Sequence, residues 1–162
     1  VKADNKISYE NSKPSYKDAV SIAAQCTAAD YTLVISKKNY RSYCYFGTPC
    51  FNSIGGPIDK NAGRLILHEF GHGFAHLADE YSEEGKPSRP VEPNCAPDIQ
   101  TARNWWGDIE GKDGVGYFEG CSYIPENIRP TKNSIMFHHW VLKDGYYPVN
   151  ERKILEVLNK YS

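Results

Sequence analysis

Two histidines and a glutamate stand in residues 68–72, which read HEFGH and match the pattern H-E-x-x-H. On an α-helix, His68 and His72 lie one turn apart, about 6 Å along the axis, and point from the same face. Both imidazoles can therefore reach one zinc ion, while Glu69 can face a water molecule on that ion and take its proton. The spacing predicts a zinc hydrolase, with a peptidase as the first expectation.

A catalytic zinc ion needs a third protein ligand and an open position for water. A third histidine six residues after His72 would complete one known arrangement, but that residue is Ala78, which cannot bind a metal. The candidates nearby are Asp79, Glu80 and His76. Three ligands on one straight helix would spread over about 12 Å of rise, so His76 could serve only if the helix broke there. We expect Asp79 to be the third ligand, because a carboxylate oxygen is an accepted ligand of zinc.

The helix that carries this motif is expected over residues 61–78, with Asp59 or Asn61 as its N-cap. Gly71 and Gly73 lie inside it, and each weakens a helix by about 1 kcal/mol relative to Ala. That cost predicts close packing at the glycines or a helix end nearby.

The chain has 162 residues, 19 basic against 20 acidic, and a net charge of −1. This length suits one catalytic domain over residues 1–162. No basic stripe indicates nucleic-acid binding, and no apolar run approaches the ~20 residues that span a bilayer. Val1 is not an initiator methionine, so we expect a processed form or a domain cut from a longer secreted precursor.

Five cysteines are present, and none forms a C-x-x-C pair typical of a structural zinc site. Cys44 and Cys50 flank a Gly-Thr-Pro turn, and Cys95 and Cys121 bracket a long loop-like insert, so we expect two disulfides with these pairings. Cys26 would then be left over, and we expect it to be buried. Disulfides would indicate an oxidising compartment.

The rest of the chain predicts an α+β fold. Helical periodicity marks residues 15–28, and the short β-branched stretch 31–36 predicts a buried strand. Residues 42–52 suggest an edge strand or a hairpin, and the aromatic residues of segment 82–131 predict a packed subdomain. A final amphipathic helix is expected after Pro148, with Asn150 as its N-cap.

Residues 68–81, HEFGHGFAHLADEY, resemble the bacterial IgA-metallopeptidase family, a metzincin-like group of secreted zinc endopeptidases. The family motif continues from H-E-x-G-H to Asp-Glu-Tyr, which stands here at residues 79–81. Residues 129–136, RPTKNSIM, are similar to the segment that carries the metzincin Met-turn, and residues 147–152 to the start of the C-terminal helix. The resemblance implies a mixed sheet, an active-site helix, a C-terminal helix, and Met136 as an apolar floor beneath the metal.

Two residues depart from the family pattern. Family members commonly carry Gly near the position of His76, so the chain must leave the helix here with a histidine in its place. His138 stands two residues after Met136, where some metzincins place a tyrosine. It could donate a hydrogen bond to a developing oxyanion or lie at the surface.

The expected reaction is hydrolysis of a peptide bond in a protein or peptide substrate. Zinc held by His68, His72 and Asp79 lowers the pKa of its water and polarises the scissile carbonyl, while Glu69 accepts the proton and returns it to the leaving amine. The substrate is expected to lie extended along residues 42–52. Two alternatives remain: a zinc amidase acting on cell-wall peptides, and a non-catalytic binding module stabilised by zinc.

Overall fold

The computed structural model describes residues 7–11, 13–26, 29–55, 61–83, 85, 92–138 and 145–161. It is a mixture of helices and small sheets, as the α+β prediction required. In chain order its elements are β1 (Tyr9–Glu10), β2 (Lys13–Pro14), α1 (Tyr16–Ala23), β3 (Leu33–Ser36), β4 (Cys50–Ser53), α2 (Ala62–Ala75), α3 (Ile99–Trp106), β5 (Phe118–Cys121), β6 (Ile124–Arg129) and α4 (Tyr147–Leu158). Short 3-10 turns, Gly107–Ile109 and Lys112–Gly114, follow α3.

The strands of the described ranges form three two-stranded sheets, so the prediction of one mixed sheet is wrong. β1–β2 and β5–β6 are antiparallel, while β3 and β4 are parallel, with Leu33 opposite Cys50. The predicted strand near residues 31–36 is confirmed as β3, but only one of its faces is buried, because its side chains alternate between exposed and buried. That alternation is typical of a strand with one face against the core.

Residues 42–53 turn back on themselves. Tyr43 pairs with Phe51 on the side of β4 away from β3, through N–H donors 3.0 and 2.9 Å from the opposite carbonyls. The predicted Cys44–Cys50 disulfide is confirmed and closes this turn, with the two Cα atoms 4.4 Å apart. The hairpin alternative therefore describes this segment better than a continuous edge strand.

Helix α2 begins one residue after Asn61 and ends at Ala75, three residues before the expected end. Asn61 occupies the N-cap position without a capping hydrogen bond from its side chain, and Asp59 lies outside the described residues. The helix stops because His76 takes the left-handed conformation, with φ 55° and ψ 36°. The Leu77 N–H then donates to the Gly71 carbonyl at 3.1 Å, which closes the helix end.

Both glycines of α2 are sites of close packing. A Cβ on Gly71 would lie 2.8 Å from Met136 Sδ. A Cβ on Gly73 would lie 2.0 Å from Tyr31 Oη and 2.1 Å from Cys44 Sγ. Side chains larger than hydrogen would therefore push α2 away from the Met136 segment on one side and from the Cys44–Cys50 disulfide on the other.

The segment between α2 and α4 has its own packed core, as its aromatic residues predicted. Trp106 is fully buried there, and its indole N–H donates to the Gly116 carbonyl at 3.0 Å. The predicted Cys95–Cys121 disulfide is confirmed and is also buried. It ties the start of this segment to the end of β5.

Helix α4 begins before Asn150, so the prediction that Asn150 caps it is wrong. Asn150 is instead a fully buried helical residue, whose amide donates to Glu80 Oε1 and to the Tyr146 carbonyl, both at 2.8 Å. An asparagine that caps a helix and one that is buried inside a helix look alike in the sequence. Only the residue that packs against the side chain distinguishes them. Glu80 is that partner, and it joins α4 to the chain that leaves α2.

Two further expectations concern Cys26 and the membrane. Cys26 is exposed, so the prediction that it is buried is wrong: α1 ends at Ala23, and the chain after it lies at the surface. Within the described ranges, the structure contains no helix with both the length and the apolar character needed to cross a bilayer.

Candidate metal centre

Three side-chain atoms converge at the end of α2. His68 Nε2 and His72 Nε2 lie 3.1 Å apart, and Asp79 Oδ1 lies 3.2 Å from the first and 3.3 Å from the second. The structure thus brings together the two predicted histidines and the carboxylate expected as third ligand, and these atoms could hold one metal ion. The helix end at His76 is what makes this possible, because it turns the chain back so that Asp79 faces the two imidazoles.

The other ring nitrogen of each histidine faces a backbone carbonyl. His68 Nδ1 lies 2.8 Å from the Ile135 carbonyl, and His72 Nδ1 lies 2.6 Å from the Leu77 carbonyl. A carbonyl oxygen only accepts, so each Nδ1 must carry the hydrogen. In the neutral imidazole, Nε2 then holds a lone pair directed at Asp79. Carbonyl partners of this kind orient metal-binding histidines in known sites.

With both imidazoles neutral, three acceptor atoms therefore meet without a hydrogen atom between them. Asp79 Oδ1 is buried, and in that state it receives no hydrogen bond from the described residues. Such a cluster requires a cation, and two imidazole nitrogens with one carboxylate oxygen are a donor set that zinc accepts. The residues present thus fit a zinc ion.

When no metal is bound, a proton on His72 can lie between these acceptor atoms and reduce their repulsion. Burial lowers the pKa of His72, but its hydrogen bond and attraction to Asp79 outweigh that effect and raise the pKa to about 9. Burial alone would raise the pKa of Asp79, yet the two histidines hold it well below its usual range. The carboxylate is therefore ionised whenever a metal could bind.

A tyrosine fixes the second oxygen of Asp79. The Tyr123 hydroxyl donates to Asp79 Oδ2, which leaves Oδ1 to face the histidines. Tyr123 takes a left-handed backbone with φ 68°, and its N–H donates to the Tyr81 carbonyl at 3.0 Å. Tyr123 is not among the site residues predicted from the sequence. Its one signal in the sequence is its place two residues after Cys121, which the Cys95–Cys121 disulfide fixes.

Glu69 lies one residue after the first histidine and is 8% exposed. Burial raises the pKa of its carboxyl group, while the positive charges of His72, His68 and Arg41 oppose the shift. A carboxyl group with a raised pKa is closer in basicity to a water molecule activated by a metal, which suits it to proton transfer.

The two other candidates for the third ligand lie elsewhere. Glu80 is fully buried and accepts from Asn94 Nδ2 at 3.0 Å and from the Ser134 hydroxyl at 2.6 Å, as well as from Asn150. Burial raises the pKa of Glu80. The exposed His76 ring lies against Phe46, with ring centroids 4.8 Å apart. Neither belongs to the cluster of converging ligand atoms.

Met136 and His138 follow Ser134, whose hydroxyl donates to Glu80. Met136 is fully buried against Gly71, so it lies beneath the turn of α2 that separates the two histidines. The Glu80 N–H donates to the Met136 carbonyl at 2.9 Å, which ties this segment to the chain beside Asp79. The His138 ring lies against Phe137, with centroids 4.0 Å apart, and the suggested oxyanion role of His138 stays a prediction.

A cleft of about 580 Å³ opens beside the three converging atoms. His72 and Asp79 line it, and the other residues that line it come from five parts of the chain. They are Lys13, Arg41, Ser42, Tyr43, Cys44, Tyr45, Phe46, His76, Leu77, Glu92 and Tyr123. A substrate could thus approach the candidate metal centre along residues 42–46.

A comparison with known protein families and with curated proteins finds no match for this chain. What the centre can do is therefore inferred from its own residues.

Proposed function

We propose that this chain is a zinc-dependent endopeptidase, with His68, His72 and Asp79 as the metal ligands. The observation that carries the proposal is the meeting of two imidazole lone pairs and one carboxylate oxygen within 3.3 Å at the edge of an open cleft. Two ring nitrogens and one carboxylate leave a fourth position for water, as catalytic zinc sites do and closed structural sites do not.

Zinc bound at this centre would lower the pKa of a water molecule and polarise a carbonyl group. Glu69 would take the proton from such a water molecule during attack on the scissile carbonyl and return it to the leaving amine. Burial of Glu69 supports this role because it raises the pKa of the carboxyl group toward the working pH. Tyr123 and the Ile135 and Leu77 carbonyls hold the ligands in place.

The form of the cleft favours a protein or peptide substrate. Residues 42–46 line it, and Tyr43 is held in extended pairing with Phe51 of β4. A peptide lying beside this segment would pass over His72 and Asp79 in an extended form, in which its carbonyl groups are accessible to attack.

The sequence resemblance and the disulfides support two further parts of the proposal. The Asp-Glu-Tyr tail at residues 79–81 and the buried Met136 favour a metzincin-like catalytic domain related to the IgA metallopeptidases. Two disulfides favour a secreted or extracytoplasmic location, because such bonds persist in oxidising compartments.

The test compares the wild-type chain with Glu69→Gln and the matched control Glu126→Gln, which changes an exposed glutamate of β6. Zinc per chain is measured by mass spectrometry, and cleavage is followed on casein, gelatin and a panel of peptides. We expect about one zinc ion in all three proteins, with cleavage by the wild type and the control. Glu69→Gln should lose at least about a hundredfold in rate, because general-base catalysis contributes that much or more.

The alternatives give different outcomes in the same experiment. Zinc bound by the wild type without any cleavage that depends on Glu69 would favour a binding module. Cleavage of cell-wall peptides but not of casein or gelatin would favour a zinc amidase. Absence of zinc from the wild type and from Glu69→Gln, after loading and dialysis, would refute the metal centre itself.

A further inference from the structure

His76 adopts a backbone conformation that its residue type disfavours. Its φ of 55° lies in the left-handed region, which glycine reaches without strain. Other residues lose roughly 1–2 kcal/mol of stability there, which corresponds to about a five- to thirtyfold change in an equilibrium constant. The imidazole makes no hydrogen bond with the described residues, and it does not belong to the converging ligand atoms. Strained residues of this kind concentrate at binding and catalytic sites, which favours a functional role for the side chain of His76.

An aromatic ring contacts the side chain of His76. Phe46 lies against it with ring centroids 4.8 Å apart and an angle of 33° between the planes. Phe46 remains 58% exposed and its neighbour Tyr45 67% exposed, which is high for aromatic side chains that line a cleft. The ring pair of Phe46 and His76 thus presents an exposed aromatic surface in the same cleft as His72.

The loop that carries Phe46 is held rigidly. The Cys44–Cys50 disulfide closes it, and the Gly47 N–H donates to the Gly73 carbonyl of α2 at 3.1 Å. The Thr48 hydroxyl and N–H both donate to the Tyr45 carbonyl, at 2.8 and 3.0 Å. Since the loop is already ordered, a ligand that packs on Phe46 has little conformational entropy to remove.

We propose that Phe46 and His76 form a specificity subsite for an aromatic side chain of the peptide substrate. This inference rests on the proposed peptidase function and names the substrate class of the same centre. An occupant with a flat ring fits best, because rings pair with other rings beyond what buried area alone provides. The subsite lines the same cleft as His72 and Asp79, so one bound peptide could reach both the subsite and the candidate metal centre.

The expected preference is modest and measurable. A peptide with Phe or Tyr at the position that reaches the subsite should bind about two- to tenfold more tightly than the same peptide with Leu, which corresponds to about 0.5–1.4 kcal/mol. The test measures dissociation constants by fluorescence anisotropy, with zinc-loaded Glu69→Gln as the background so that no peptide is cleaved. The panel moves one Phe, Tyr, Leu or Gly through the positions on either side of the central bond.

The variants separate the ring of His76 from its backbone. His76→Gly and His76→Asn both tolerate the left-handed conformation but remove the ring. Phe46→Leu keeps an apolar side chain without a ring, and Phe46→Tyr keeps the ring. We expect the first three to bring the ratio of aromatic to Leu affinity close to one, and Phe46→Tyr to retain it. Zinc content should stay at the level of the background, because neither residue belongs to the converging ligand atoms.

The outcomes distinguish the subsite from the peptidase activity. An aromatic preference that survives His76→Gly and Phe46→Leu, or a panel in which no peptide binds with such a preference, overturns the subsite. Rates of cleavage by the protein with Glu69 intact form the second arm. A preference that disappears as expected, with no peptide cleaved, supports the subsite and refutes the peptidase. Cleavage that depends on Glu69 but ignores aromatic residues supports the peptidase and refutes the subsite.

Discussion

Replacing Tyr123 by Phe removes one hydroxyl group and should weaken zinc binding without disturbing the fold. The Tyr123 hydroxyl is the donor that occupies Asp79 Oδ2, while Oδ1 faces His68 and His72. Without that donor the carboxylate can rotate, and Oδ2 loses the hydrogen bond that Tyr123 gives it. Both effects reduce the affinity of the centre for a metal.

The magnitude follows from the burial of both partners. Tyr123 is 4% exposed and Asp79 is 5% exposed, so water cannot easily replace the lost hydroxyl. A hydrogen bond to a charged group contributes about 1.5–3 kcal/mol, which corresponds to roughly ten- to 150-fold in a dissociation constant. Changes to groups that orient metal ligands typically cost about 10–100-fold in affinity. We therefore expect Tyr123→Phe to raise the zinc dissociation constant by about one to two orders of magnitude.

The assay is competition for zinc against a chromogenic chelator at neutral pH. Tyr117→Phe is the matched control, because the Tyr117 hydroxyl donates to Glu110 at the surface, 3.0 Å away, and has no part in the centre. Circular dichroism and a count of free thiols check that the fold and the Cys95–Cys121 disulfide are intact. A zinc affinity of Tyr123→Phe equal to that of Tyr117→Phe would refute the assigned role of Tyr123.

Three further predictions concern packing, the buried amide and the metal itself. Gly73→Ala should lower the free energy of unfolding in urea by about 1–3 kcal/mol, because its Cβ would meet Tyr31 and Cys44. A Cβ at Gly63 in the same helix meets nothing within 4 Å, so Gly63→Ala should raise that free energy by up to about 1 kcal/mol. Equal effects of the two substitutions would contradict the packing. Asn150→Ala should lower the free energy of unfolding by about 1–3 kcal/mol, since it deprives the buried Glu80 of a hydrogen-bond donor. Asn104→Ala, on the exposed face of α3, should change that free energy little. A smaller loss for Asn150→Ala than for Asn104→Ala would exclude Asn150 as a stabilising donor to Glu80. Zinc binding at neutral pH should release at least about one proton, because the pKa of His72 is raised to about 9 in the metal-free protein and its Nε2 must lose a proton to bind. The apparent zinc affinity should therefore rise with pH and level off above about 9, which calorimetry in buffers of different ionisation enthalpy can measure; no proton release would count against His72 as a ligand.

Local patterns predicted the parts of the centre that lie within one helix. His68 and His72 share a face because their spacing is close to one helical turn, and this needs no information from distant residues. The Cys44–Cys50 pairing was also predictable, since a short turn between two cysteines brings them together. The cost of Gly71 and Gly73 correctly indicated close packing, but the sequence could not show that Met136 and the disulfide would be the partners.

The errors have a common physical origin. Asn150 has the composition of a helix cap, and its burial against Glu80, 70 residues away in the chain, made it a core residue. Free cysteines are often buried, which is the basis of the prediction for Cys26, but α1 ends before Cys26 and leaves it exposed. The strands were short enough for tertiary pairing to decide their partners, so a single mixed sheet could not be derived from their propensities.

The sequence by itself determined the chemistry that this chain could perform: two histidines and a glutamate at helical spacing, a carboxylate close behind them, and cysteines spaced to form two bridges. The tertiary structure decided where those groups carry their hydrogens and which way their side chains point. The Leu77 and Ile135 carbonyls direct the hydrogen of each histidine to Nδ1, and Tyr123 directs Asp79 Oδ1 toward the freed lone pairs. Two of these contacts join residues 67 and 44 positions apart, and the third depends on the left-handed turn at His76. Such contacts arise from the packing of the whole chain, so no local pattern could have predicted them.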